Sequence, residues 1–132
     1  MNAGRSLRWA SVRDVATQVA EDAASVDAVL RETNEAATRL NGLNAFVRFD
    51  GEQVRQDAGR LPPQGSLGGV VLAHKDMFYR KGQVTTCGSR IFANSVADTT
   101  ATVLRRFDAA GALDVGTLHM AEFALNMRGN RH

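Results

Sequence analysis

The stretch GGVVLAHKD, residues 68–76, decides the fold of this chain. A glycine pair leads into a continuous apolar run over 70–73, which predicts a strand that is buried on both faces. Polar and charged side chains follow at once, and α/β proteins place their ligand sites where such strands end. The stretch therefore predicts an α/β fold with a candidate site at the exit of this strand.

The residues that follow continue the alternation of strands and helices. Asp98 is predicted to cap a helix that Gly111 closes, and a short buried strand over 112–115 and a helix over 119–127 come next. Strand, helix, strand, helix in this order indicates parallel pairing in an α/β architecture. Two core strands are fewer than the roughly 4 to 6 of a typical sheet, so we expect an incomplete sheet that belongs to something larger.

The first half of the chain, 1–61, is predicted to be a mainly helical layer. Ser11 is expected to cap a helix over 11–24 and Ser25 a second helix that ends near residue 41, before a strand-forming stretch over 43–49 and a short helix over 52–61. The segment PPQGSLGG, 62–69, predicts a domain boundary or a long loop. We expect a single domain in two parts, 1–61 and 62–132.

Composition excludes several classes of partner. The formal charge is only +2 and the basic residues are scattered, which argues against a nucleic-acid partner. No apolar run approaches the roughly 18 residues of a membrane span, and no apolar block follows the N-terminal arginines, so a cytoplasmic protein without a membrane partner is expected. A lone cysteine and three separated histidines predict neither a disulfide nor a metal site, and no cofactor is expected.

Lys75 is the candidate catalytic residue. It and Lys81 are the only lysines among sixteen basic residues, and arginine stays protonated in proteins. Burial disfavours the charged ammonium, so a desolvated Lys75 could accept a proton from a serine hydroxyl. Position alone favours a solvated lysine, because most lysines are exposed. Strand alternation predicts that His74 and Asp76 point away from Lys75 and have structural roles.

The small, polar stretch TTCGS, 85–89, predicts a tight loop against a pocket or a buried strand. Cys87 could be a nucleophile with a histidine base, but a buried small residue is the favoured interpretation. The chain has no GxSxG elbow, SxxK pair, P-loop or GxGxxG motif. These residues alone therefore define no reaction.

Four blocks taken together resemble the amidase signature family. They are GGVVLAHKD (68–76), TTCGS (85–89), DTTATVLRRFDAAGA (98–112) and GTLHMAEFAL (116–125), and their order and gaps agree with those of the family. The resemblance covers about residues 11–125. It implies a mixed central sheet wrapped by helices and a Ser-cisSer-Lys triad that hydrolyses amides to an acid and ammonia or an amine. Lys75 matches the triad lysine, the base that acts on the cis serine.

The family's glycine- and serine-rich GGSSGGS block has no counterpart in this chain. In the family, that block supplies both serines of the triad. The six serines of this chain match none of its positions. We therefore expect a truncated amidase chain that is inactive alone and whose parent acts on a small-molecule amide. Two alternatives stay open: the glutaminase A subunit of a tRNA-dependent amidotransferase, and a non-catalytic interaction fragment. His74 and the LHMAEFA variant favour the stand-alone amidase. The substrate and the oligomeric state are not predicted.

Overall fold

The computed structural model describes residues 10–60 and 64–125. Within these ranges, helices and strands alternate in an α/β arrangement, joined by short 3-10 turns at Asn41–Leu43, Arg90–Phe92 and Glu122–Ala124. The elements are α1 (Val12–Glu21), α2 (Ser25–Arg39), β1 (Phe46–Phe49), α3 (Gly51–Arg60), β2 (Val71–Lys75), α4 (Thr102–Ala109) and β3 (Leu113–Leu118).

The three described strands form one mixed sheet in the order β1-β3-β2. β2 and β3 pair in parallel, as the strand–helix–strand order predicts, with α4 as the crossover. β1 pairs with β3 antiparallel, so the first half of the chain contributes a strand to the same sheet as the second half. The predicted α/β class is confirmed, and the sheet is of the mixed kind that the family resemblance implies.

The hydrophobic core lies between the sheet and the three helices of the first half. Leu30 of α2 is fully buried and Val115 of β3 is 2% exposed, and both belong to one cluster of buried apolar side chains. The cluster forms because α2 carries apolar residues at helical spacing on the side that faces the strands. Its other buried members are Val19, Val26 and Ala58.

Helix starts follow the sequence only in part. Ser11 caps α1 as predicted, and its side chain and that of Asp14 form a reciprocal capping box. Ser25 is not a cap: it is the first residue of α2, and its hydroxyl donates to the carbonyl of Asp22 (2.7 Å). The helix start at Ser25 is right, but the reason inferred for it is wrong.

The prediction that Asp98 caps the fourth helix is wrong. α4 begins at Thr102, and its N-cap, Ala101, makes no side-chain cap bond. The N–H of Ala101 donates to the carbonyl of Tyr79 (2.8 Å), which ties this segment to the loop after β2. A long-range backbone contact therefore sets where this helix begins.

Two predictions on the second half also need correction. β2 is only partly buried, because it lies at the edge of the described sheet with one strand neighbour, so burial on both faces is wrong. The helix over 119–127 is wrong over its described part, since only a 3-10 turn, Glu122–Ala124, forms there and Phe123 has a positive φ of 49°. Residues 126–127 lie outside the described residues.

The break at 62–69 packs against the end of α4. Within its described part, 64–69, the N–H of Leu67 donates to the carbonyl of Ala110 (2.8 Å), and the N–H of Gly69 donates to the carbonyl of Gly111 (3.3 Å). These bonds favour the long-loop interpretation over a domain boundary. No helix in the described part of the chain is both long and apolar enough to cross a membrane.

Candidate active site

Lys75 is the last residue of β2, and its side chain is exposed. Its neighbours His74 and Asp76 are 6% and 2% exposed. Alternation along the strand buries these two side chains and directs that of Lys75 to the opposite face. Among the described residues Lys75 is therefore solvated, as its position alone favours, and not desolvated as the base role would require. The prediction that its neighbours point away from it is confirmed.

Asp76 joins the end of β2 to the loop 85–89. Its carboxylate oxygens accept the N–H of Thr86 (3.1 and 3.2 Å), and one of them also accepts the hydroxyl of Thr86. The carbonyl of Asp76 accepts the N–H of Cys87 (2.9 Å). A buried carboxylate needs such donors, since its desolvation is otherwise costly. The predicted structural role of Asp76 is confirmed.

The same loop is held from its other side by the 3-10 turn near the end of the described chain. The hydroxyl of Ser89 donates to the carboxylate of Glu122 (2.6 Å), and the N–H of Phe123 donates to the carbonyl of Cys87 (2.9 Å). Gly88 has φ of +70°, and a Cβ there would lie 2.8 Å from the carbonyl oxygen of Met120. The close approach requires glycine at this position. Three of the sequence blocks therefore converge beside Lys75.

His74 is held at both ring nitrogens. Its Nδ1 lies 2.8 Å from Oδ2 of Asp114, and its Nε2 lies 3.3 Å from Oγ1 of Thr117. With both nitrogens occupied, His74 is not available as a base for Cys87, which is partly buried. The described residues include no group of side chains suited to hold a metal ion.

Asp114 is the centre of a charged network that the sequence did not reveal. Its Oδ2 also lies 2.6 Å from Nη2 of Arg80, whose guanidinium reaches Asp108 as well (3.0 and 3.1 Å). A single acidic residue inside an apolar strand was the available sign, because a buried carboxylate requires partners.

The partners of Asp114 determine its ionisation. Burial alone would raise the pKa of Asp114, but the hydrogen bond from His74 and the charges of His74 and Arg80 outweigh it. The pKa of Asp114 therefore lies below its ordinary value. Ionised Asp114 therefore adds to the free energy of unfolding at any pH above the pKa that an aspartate has in the unfolded chain. This added stability is lost as the pH falls from that value through the lower pKa of the folded state.

Asp114→Asn is expected to lower the free energy of unfolding at pH 7 by about 1–3 kcal/mol, because it removes a charged acceptor from a buried network. The difference from the parent should shrink as the pH falls below about 4, the ordinary pKa of an aspartate in an unfolded chain, towards the lower pKa of Asp114 in the folded state. Chemical denaturation at pH 7 and at pH 3 measures both effects. Asp108→Asn is the matched control, since Asp108 contacts the same arginine but its side chain is 43% exposed. If Asp114→Asn lowers the free energy of unfolding by the same amount at pH 7 and at pH 3, Asp114 is not the ionised acceptor of this network.

A lysine at the end of a parallel strand, followed by a buried aspartate that anchors a TTxGS loop, defines the class of protein as an amidase-signature fold. The family model for amidases matches residues 24–132, and the chain belongs to the amidase family.

Similar proteins agree with this assignment. The chain is 36% identical over 126 residues to the A subunit of glutamyl-tRNA(Gln) amidotransferase from Nitrosomonas europaea, covering 88% of this chain and 25% of that protein. The crystal structure of an amidase superimposes with a TM-score of 0.69 at 30% identity, covering 83% of this chain and 27% of the other. For the A subunit of the Thermotoga maritima glutamyl-tRNA(Gln) amidotransferase, the TM-score is 0.68 at 25% identity, over 92% and 25%. The chain spans about a quarter of the length of the curated relatives it matches.

Proposed function

We propose that this chain provides the lysine-bearing part of an amide-hydrolysing site, with Lys75 as the base of a Ser-cisSer-Lys triad. The observation that carries the proposal is the convergence on the end of β2. Asp76, the residue after Lys75, binds Thr86, and Glu122 binds Ser89, so three of the four blocks that resemble the family are joined at the end of β2.

Lys75 is exposed in the described residues, and the base role requires a covering segment that desolvates its amine. On the buried side of the strand end, His74 and Asp76 make polar contacts within the chain. The amine of Lys75 points to the other side and makes no hydrogen bond or ion pair with another described residue. Its exposed face is the one on which a serine-bearing segment would have to pack to bring a hydroxyl within reach.

The reaction would proceed by acyl transfer. A neutral Lys75 amine accepts the proton of the cis serine as that serine accepts the proton of the nucleophilic serine. The nucleophilic oxygen then forms a bond to the amide carbon, the C–N bond breaks, and the leaving nitrogen receives the proton. Water hydrolyses the acyl-serine, which releases the carboxylic acid.

We expect the 132-residue chain alone to release no ammonia from carboxylic amides. A catalytic triad acts as a unit, and a base without its nucleophile has no proton to accept. A chimaera in which these 132 residues replace the matching segment of the 30%-identical amidase is expected to be active. Ammonia release from a panel of simple amides measures both. Amide turnover by the chain alone, or a folded chimaera without activity, would contradict the proposal.

The panel includes glutamine because of the second candidate function. The similarity to the A subunit of glutamyl-tRNA(Gln) amidotransferase favours glutamine as a substrate of the parent site. The discriminating assay uses the full-length parent: ammonia release from glutamine but not from the other amides would identify the amidotransferase-type glutaminase. Release from the simple amides by the full-length parent would identify the stand-alone amidase. A small-molecule amide is the substrate in either case, and the cytoplasmic location inferred from the N-terminal sequence stays a prediction.

A further inference from the structure

We propose that His74 is a positioning residue for Lys75, and that a β-bulge in β3 creates the place that holds it. The inference rests on the proposed role of Lys75 and goes beyond it, because it assigns the control of the lysine's direction to a side chain on the opposite face of the sheet. It is drawn from the register of β2 and β3 and from the contacts of the imidazole.

The register of the two strands shows the bulge. Leu72 lies beside Asp114 and His74 lies beside Thr117, so two steps along β2 correspond to three along β3. In a regular strand, residues 114 and 117 would point to opposite faces, because side chains alternate. The extra residue brings both side chains to the same imidazole. Gly116, within the bulged segment, allows the close approach of β1, since a Cβ there would lie 2.2 Å from the carbonyl oxygen of Arg48.

The contacts hold the imidazole of His74 between two side chains of β3. Nδ1 lies within ion-pair distance of the carboxylate of Asp114, and Nε2 lies within hydrogen-bond distance of the hydroxyl of Thr117. The oxygen of Thr117 accepts in turn from Nη2 of Arg48 (3.3 Å). A continuous set of contacts therefore runs from Arg48 on β1, through Thr117 on β3, to His74 on β2. A single arrangement of the imidazole satisfies both neighbours.

This arrangement sets the direction of Lys75. His74 before it and Asp76 after it are both held by side-chain hydrogen bonds, and the N–H of Asp76 donates to the carbonyl of Leu118 (3.1 Å). Only one residue lies between these two anchors. The backbone of Lys75 cannot rotate without breaking the bonds of one of them, so its side chain must leave the strand on the exposed face.

Amide hydrogen exchange on the 132-residue chain tests the anchoring directly. His74→Leu removes both ring contacts, whereas His74→Asn keeps an N–H donor close to the position of Nδ1. We expect exchange at the Asp76 amide to be at least about 10-fold faster in His74→Leu than in His74→Asn, with exchange at Leu30 in the core unchanged. Equal exchange at Asp76 in the two variants would overturn the proposal.

The active chimaera tests the consequence for catalysis. Small displacements of a reacting group cost about 10²-fold, so His74→Leu is expected to lower kcat by about 10- to 100-fold with KM little changed, and His74→Asn to restore most of it. Loss of thermal stability with an unchanged kcat would show a merely structural role and overturn the proposal. If His74→Leu does not fold, Thr117→Val removes one of the two ring contacts, and an unchanged kcat in that variant also overturns it.

The role of Lys75 is judged separately in the same chimaera. If Lys75→Ala leaves the activity intact, the proposed function fails, whatever the His74 variants do. If Lys75→Ala abolishes activity and the His74 variants do not change kcat, the proposed function stands and the positioning inference fails.

Discussion

Lys75→Ala is expected to lower kcat for amide hydrolysis in the chimaera by about 10³-fold or more, with a much smaller change in KM. Members of a catalytic triad act as a unit, so the loss of one removes nearly all of the chemical advantage of the others. Substrate binding depends on other contacts, which explains the expected split between the two constants. Steady-state kinetics of ammonia release measures both.

Two further substitutions make this test specific. Lys75→Arg should be almost as inactive as Lys75→Ala, because a guanidinium remains protonated and cannot accept the serine proton. Lys81→Ala should keep the parental rate, since Lys81 is the other lysine of the chain and its side chain is exposed in the loop after β2. If the Lys75→Arg chimaera keeps the parental kcat, residue 75 does not accept the serine proton.

Asp76→Ala is expected to lower the free energy of unfolding by about 3 kcal/mol. The substitution leaves the N–H and the hydroxyl of Thr86 without the carboxylate that they bind, in a site where water does not easily replace it. Because Thr86 belongs to the loop 85–89, we expect the loss to appear first as increased exchange of the amides in that loop. Denaturation monitored by circular dichroism gives the overall change.

Asp98→Ala is the matched control for Asp76→Ala. Asp98 is an acidic residue of the same half of the chain, but it is exposed and does not cap α4. Exposed substitutions of this kind usually change stability by about 0.5 kcal/mol or less. Equal losses in the two variants would mean that the carboxylate of Asp76 does not anchor the loop.

The sequence predicted the parts of the fold that depend on local pattern. The apolar run before His74 located β2, the helical spacing of apolar residues located α1 and α2, and the order of the elements predicted parallel pairing. It failed where a distant contact decides the local structure. Residues 119–125 have a helical pattern, yet the bond between Phe123 and Cys87 holds them in a turn.

The candidate site shows the same division. Lys75 was located from its place after the strand and from the resemblance, and alternation gave the correct faces for His74 and Asp76. The partners of His74 could not be predicted, because Asp114 and Thr117 share a face only through the bulge in β3. A bulge depends on the pairing of two strands, and no pattern within one strand reveals it.

The position of β2 at the margin of the described sheet has a consequence for how the protein can be extended. One side of this strand is bonded to β3, and the backbone groups on its other side have no strand partner in the ranges 10–60 and 64–125. Another strand can pair with such a row of backbone donors and acceptors. A strand added at this edge would not disturb the existing pairing of β1, β3 and β2, and it would run next to Lys75.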